Sequence, residues 1–265
     1  MAAYPEYRYV DCWARVSGRQ TQWTRWSLDS GAITDWARSF SKAELFKTQQ
    51  RFDKTSVDPE ASCIMPLVFD FDGQSGEDEE RIEAALVDVR KLHAWMCEAL
   101  CLEEYAAVYF SGGKGFHVVV DPSALGIIPS SHVVTAVEMA VRHLAELLDL
   151  TTVDYKVYQK RHVWRIPGSR HGSGLYMTKL DPSDLMLSAA EIALLAKDPS
   201  PVLLDEWSDC DKMTDWFDQF EESAASNKIH VRTQPSENII KQNLTASMPE
   251  CMDDLLDEYF RRAVS

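Results

Sequence analysis

Leu67-Val68-Phe69-Asp70-Phe71-Asp72-Gly73 reads as a short buried strand that ends in two carboxylates. Side chains alternate along a strand, so Asp70 and Asp72 leave from the same face. Two carboxylates on one face repel each other unless positive charge comes between them. Hard divalent cations favour carboxylate oxygen, so the pair reads as a site for Mg2+ or Mn2+. A strand end with two solvated aspartates is the plain alternative.

Working outward, the apolar run is expected to begin at Ile64, making one strand over Ile64–Phe71. Ile82, Leu86, Val89, Leu92, Met96 and Leu100 recur at three- and four-residue steps, which predicts a long amphipathic helix within Glu77–Glu103. Ala106–Phe110 and Phe116–Val120 read as two strands joined by Ser111-Gly112-Gly113-Lys114-Gly115, a hairpin. A second helix is expected over Ser130–Leu148, two strands over Val153–Tyr158 and His162–Ile166, and a short helix over Leu187–Lys197. Before the acidic strand, alternation around Tyr7–Arg15 suggests a strand, and Ser41–Arg51 suggests a helix capped by Ser41.

The 265 residues, 45% of them hydrophobic, suffice for at least one sizeable core. After Asp198 the composition turns acidic. Acids stand at 198, 205, 206, 209, 211, 215, 218, 221 and 222, with Lys212 the single base between them. This stretch reads as a solvated helical face, 227–249 as a linker and Glu250–Arg262 as a terminal helix. The expected organisation is a catalytic domain over 1–197 and an acidic, helical segment over 198–265. No apolar run approaches the roughly 20 residues that span a bilayer, and the N-terminus lacks a basic-then-apolar signal pattern. A soluble intracellular (cytoplasmic) protein without membrane association is therefore expected.

Six cysteines lie far apart with no C-x-x-C pair, which argues against a disulfide framework and a zinc ribbon. His93, Cys97 and Cys101 recur every fourth residue of the long helix. The outer two would sit about 12 Å apart, too far for one metal on a straight helix, so they read as core filler.

Two further stretches carry chemistry. Three glycines within Ser111–Gly115 allow a sharp turn and bring backbone N–H groups close to an anion, with Lys114, Ser111 and His117 as further donors. The loop enters a strand rather than a helix, so it is no Walker loop, and an ordinary Gly-rich hairpin remains open. Val153-Asp154 is followed by Lys156, Lys160, Arg161, Arg165 and Arg170, giving a local charge of about +4 from five bases and one acid. This matters because the net charge is −15, and a globally acidic chain binds nucleic acid weakly unless its positive charge is gathered. Asp154 can complete a three-carboxylate site with the first two aspartates.

In this order the motifs resemble the archaeo-eukaryotic primase superfamily of primase small subunits and primase-polymerases. An apolar-Asp-x-Asp motif matches Asp70 and Asp72, and Ser-Gly-x-x-Gly-x-His matches Ser111, Gly112, Gly115 and His117. An aspartate at a strand end matches Asp154, and a basic residue followed by Pro and Ser-x-His matches Arg165, Pro167, Ser169 and His171. The match spans roughly 40–180. Gly113 departs from primases that carry a basic residue there, and no cysteine/histidine zinc knuckle is present.

The resemblance implies an α+β fold, with a sheet related to the RNA-recognition module carrying the aspartates, flanked by an N-terminal α/β layer. It implies that Asp70, Asp72 and Asp154 are catalytic and hold two Mg2+ or Mn2+ ions. Ser111, Gly112, Lys114, Gly115, His117, Arg165, Ser169 and His171 would bind the incoming nucleotide. The implied activity is a DNA primase or primase-polymerase of DNA replication, a nucleotidyltransferase acting on NTPs or dNTPs over a single-stranded DNA template. For the acidic 198–222 stretch, contact with a partner such as a helicase or an accessory primase subunit is the alternative to a solvated face. Two alternatives remain: a non-catalytic nucleotide- or DNA-binding replication module, and a haloacid-dehalogenase phosphatase, whose nucleophile motif also runs Asp-x-Asp-Gly. Gln74 after that motif, its distance from the N-terminus, and the helical setting expected for Asp253-Asp254 disfavour the phosphatase.

Overall fold

The computed structural model describes residues 4, 6–40, 42–53, 61–73, 77–199, 201–204, 207 and 210–226. In chain order the elements are β1 (Tyr9–Val16), β2 (Arg19–Gln20), β3 (Thr24–Ser27), α1 (Gly31–Ser39), β4 (Glu44–Thr48), β5 (Arg51–Phe52), β6 (Cys63–Ile64) and β7 (Leu67–Asp72). Then come α2 (Asp78–Leu100), β8 (Ala106–Phe110), β9 (Gly115–Val120), α3 (Val133–Leu147), β10 (Val163–Arg165), β11 (Thr178–Leu180), α4 (Ala189–Leu195) and α5 (Asp218–Ser226). The class is α+β, as the sequence led us to expect.

The strands form two antiparallel sheets. One is four-stranded, in the order β11-β8-β9-β7. Its β7–β9 and β8–β9 registers place Phe69 opposite Val118 and Phe71 opposite Phe116, with Phe116 opposite Phe110 in turn. These residues are fully buried against α2 and α3. The period of two leaves Asp70, His117 and Tyr109 in one cross-strand row on the opposite face.

The first sheet has seven strands, with β10-β4-β1-β5-β6 as its path and β2 and β3 also pairing with β1. Val10 and Cys12 pack with Ile33 of α1, and Ala14 and Leu45 pack with Ala37 and Ile166.

The long helix forms where its periodicity placed it. Glu77 and Glu80 close a reciprocal capping box, and three acids in the first turn favour the positive helix end. Cys101 ends the helix in a left-handed conformation at φ 54°.

Several expectations need correction. Ser41–Arg51 is not a helix: Glu44–Thr48 is a strand between β1 and β10, and the helix of this region is α1, capped by the Ser30 side chain. The Ile64–Phe71 strand divides at Met65-Pro66. Cys63–Ile64 joins the first sheet and β7 the second, and the proline has no N–H to offer a continuous ladder.

Val153–Tyr158 and His162–Ile166 do not form a strand pair. Tyr155–Val157 is a 3-10 turn capped by Asp154, and β10 crosses to the first sheet beside β4. Of the expected core filler, His93 is buried but Cys101 is exposed at its helix end.

The acidic stretch is only partly a solvated helix. Over the described residues 210–226 it is built into the molecule: Phe217 and Phe220 are buried in the main core with Ala224, and α5 packs on α3. Trp216 meets Trp95 of α2 edge-on at 5.7 Å. The expected linker over 227–249 and helix over Glu250–Arg262 lie outside the described residues. No described helix is long and apolar enough to cross a membrane.

Candidate functional site

Asp70 stands at the β7 end of the polar row, directly opposite His117. The Nε2 of His117 lies 3.4 Å from Asp70 Oδ1. The Asp70 side chain keeps 23% exposure and that of His117 only 10%. Trp164 of β10 packs against the imidazole at 4.5 Å and 67°, so the first sheet closes over the histidine of the second.

The third aspartate arrives through the backbone. The Asp72 amide donates to Thr152 O at 2.8 Å, Val153 pairs with Phe71, and the Asp154 amide donates to Asp70 O at 2.8 Å. Residues 152–154 thus run along the outer edge of β7, and Asp154 is held beside Asp70 by main-chain bonds. The Asp154 side chain also accepts from the Lys156 amide at 3.0 Å.

The electrostatics follow from this crowding. Burial, then the charges of Asp154 and Asp72, push the Asp70 carboxyl up to about 8. Burial, reinforced by Arg165 and His162, pushes His117 down to about 3, so it is a neutral imidazole at neutral pH. Among the described residues its buried Nδ1 has no hydrogen-bond partner. Burial also lowers His162, with the Asp154 charge acting the other way.

In the Gly-rich loop Ser111 turns inward. Its Oγ accepts from the amides of Gly113 (3.2 Å) and Gly115 (3.4 Å), and its own N–H donates to Gly115 O. Ser111 therefore shapes the turn through its oxygen, while its hydroxyl proton is not used in these bonds. Lys114 is exposed at the loop tip. A Cβ at Gly115 would overlap the Phe71 carbonyl oxygen, so only glycine fits between β9 and β7.

A second loop docks here. Gly168 N donates to Met177 O and Met177 N to Ser169 O, so 168–177 doubles back on itself. The Ser173 hydroxyl then donates to Gly112 O at 2.6 Å. His171 Nδ1 accepts from the Ser173 amide at 3.0 Å, which puts the proton of the neutral ring on Nε2. A Cβ at Gly113 would lie 2.8 Å from that Nε2. The ring of His171 thus occupies the space that a side chain at position 113 would take.

Two other expected nucleotide ligands are engaged elsewhere. Ser169 is 1% exposed, and its hydroxyl donates to Ile166 O at 2.6 Å and lies 3.4 Å from Leu45 O, so it holds the backbone. Arg165 pairs with Glu44 at 3.2 Å, donates to Arg170 O, and lies over the Phe46 ring. Arg15 bonds the same Glu44 oxygen at 3.2 Å. Part of the +4 read from the sequence is thus balanced, because Asp11 also binds Arg161 at 2.9 Å.

Sequence reasoning missed Glu44, His162, Trp164, Tyr109 and Asp88. Asp88 carried a signal: it stands three residues after Ala85 and four before Leu92, inside the buried stripe of α2.

This chain is similar in structure to two solved structures. One is "Crystal structure of the catalytic domain of primase Repb' in complex with initiator DNA", at 14% identity and TM-score 0.41, covering 91% of this chain and 94% of that one. The other is the AEP domain of the cyanophage S-2L primase-polymerase, at 14% identity and TM-score 0.37, covering 72% of this chain and 90% of that one. No protein-family model matches the sequence, and no curated protein matches it.

Among the described residues no three His, Cys, Asp or Glu side chains already converge as a metal-ligand set. The donor chemistry nevertheless suits hard divalent cations. Asp154 lies beside Asp70 and Asp72, and a cation there would offset both the burial and the repulsion from Asp154 and Asp72 that raise Asp70.

Proposed function

We propose that this chain is a primase-type nucleotidyltransferase that joins nucleoside triphosphates on a single-stranded DNA template. The observation that carries the reading is the backbone pairing of Asp154 to Asp70, which brings a third carboxylate to Asp70 and Asp72. These three would hold two Mg2+ or Mn2+ ions. Bound there, the ions supply the positive charge that makes a 3′-hydroxyl more acidic and stabilises the departing oxygens.

The chain's own groups arrange the substrate. Asp70 and Asp72 set one side of the site and Asp154 the other. His171 offers Nε2–H over the Gly-rich loop and Lys114 adds an exposed positive charge, both suited to a triphosphate. His117, neutral and packed under Trp164, fixes the position of Asp70. The 3′-hydroxyl gives its proton to water as its oxygen bonds to the α-phosphorus, and the bond from that phosphorus to the bridging oxygen breaks with its electron pair leaving on pyrophosphate.

The test is synthesis on a single-stranded template with labelled NTPs or dNTPs and Mn2+, with and without a primer. Wild type makes extended product. Asp70→Ala/Asp72→Ala, still folded by circular dichroism, loses it by about a thousandfold or more. A double variant as active as wild type overturns the reading.

A further inference from the structure

We infer that Asp88, on the buried side of α2, is a positioning residue that sets Asp154 against Asp70 and Asp72. The inference rests on the proposed role of those three acids in binding metal.

Asp88 is 2% exposed, an uncommon place for a carboxylate. One of its oxygens, Oδ2, accepts from the Thr151 amide at 2.7 Å, the Thr152 amide at 2.8 Å and the Thr152 hydroxyl at 2.8 Å. Lys91, one helical turn on, lies 3.7 Å from the other oxygen and donates to Asp149 O at 2.9 Å. The helix thus grips residues 149–152 through main-chain groups.

Those residues lead straight into the site. Thr152 O accepts from the Asp72 amide, and two residues later the Asp154 amide donates to Asp70 O. The chain of bonds runs from Asp88 to the Thr152 backbone, then to Asp72 on one side and through Asp154 to Asp70 on the other. No other side chain among the described residues is shown accepting from the Thr151 or Thr152 amide. Removing the carboxylate takes the acceptor from three donors, two of them on the buried Thr152, and frees the segment to shift along the edge of β7. Groups that hold metal ligands in place typically change affinity by about 10- to 100-fold when removed.

The experiment compares wild type, Asp88→Ala, Asp88→Asn, Thr152→Val and Glu83→Ala in the full chain. Glu83 is the control: it lies on the same helix and accepts from the Ala189 amide at 3.1 Å, away from the three aspartates. Two readouts are taken below the melting temperature: hydrogen exchange at the Asp72 and Asp154 amides, and Mn2+ affinity by paramagnetic resonance.

Asp88→Ala is expected to speed exchange at both amides by about tenfold and to weaken Mn2+ by about tenfold or more. Asp88→Asn keeps an acceptor oxygen and restores most of both, Thr152→Val gives a smaller shift at the same amides, and Glu83→Ala changes neither. If Asp88→Ala is too unstable to measure, Thr152→Val against Glu83→Ala decides. Unchanged exchange at Asp72 and Asp154 overturns the inference, as does an equal effect from Glu83→Ala or a Mn2+ affinity within about twofold of wild type. Wild type whose Mn2+ binding survives Asp70→Asn instead overturns the metal reading, and the exchange measurement then decides the role of Asp88 alone.

Discussion

Asp70 is held in a place where its charge is unwelcome, and pH should expose that. Its folded-state pKa of about 8 lies above the ordinary 3.8, so the folded protein binds this proton more tightly than the unfolded chain. The stabilisation is present at low pH and is lost as pH rises through about 8. His117 acts in the opposite sense. Its pKa of about 3 lies below the ordinary 6.5, so stability falls as pH drops below 6.5. Comparing Asp70→Asn with wild type in a chelator cancels the histidine. The melting temperature of the variant relative to wild type should climb by roughly 5 °C or more between about pH 5 and about pH 9. A flat difference would show that Asp70 ionises freely. At the Gly-rich loop, Gly113→Ala would push the His171 ring aside while leaving the backbone in place. Calorimetric titration with a non-hydrolysable triphosphate should show Gly113→Ala and His171→Ala each weakening binding by about three- to tenfold. Equal affinities would remove His171 from the binding surface.

Among the elements, the β7–β9 pair tolerates change least. Gly115→Ala would drive a methyl group into the Phe71 carbonyl, so β9 must part from β7 where Asp72 is held. We expect a loss of about 3 kcal/mol or more in urea unfolding, against less than about 1 kcal/mol for Lys114→Ala at the exposed tip. The β8–β9 hairpin was legible in the sequence because its apolar strands and glycines state their geometry locally. The same holds for α2, whose apolar stripe and acidic first turn agree. The region around Leu45 was not legible. Lys42, Ala43, Glu44 and Leu45 are good helix formers, and β4 exists because β1 and β10 supply ladders on both sides. The signal for α1, with Ile33, Trp36, Ala37 and Phe40 at helical steps after Ser30, was overlooked. The acid pair was readable as a motif, and so was the order of the motifs. The inward turn of Ser111 and the Glu44 partner of Arg165 were not, because each depends on contacts made only when the chain has folded.

For the molecule as a whole, the core does not stop at the boundary drawn by composition. Phe217 is fully buried and Phe220 nearly so, both beneath α3. Phe217→Ala should cost about 3–5 kcal/mol. A chain cut after Lys197 should melt well below one ending at Ser226, by scanning calorimetry on both. Equal melting temperatures would make residues 198–226 a dispensable appendage. The segment 152–154 has one more effect at this scale. β7 is the last strand of its sheet, and its sequence Leu-Val-Phe-Asp-Phe is apolar enough to template strand addition by another copy. Thr152, Val153 and Asp154 occupy the outer hydrogen-bonding positions of its second half, while the Tyr158 hydroxyl donates to Val68 O at 2.8 Å in the first. The residues that deliver the third acid therefore also keep neighbouring copies of the chain from zipping together along this border. A variant in which they peel away would lose the site and become prone to aggregate in the same event.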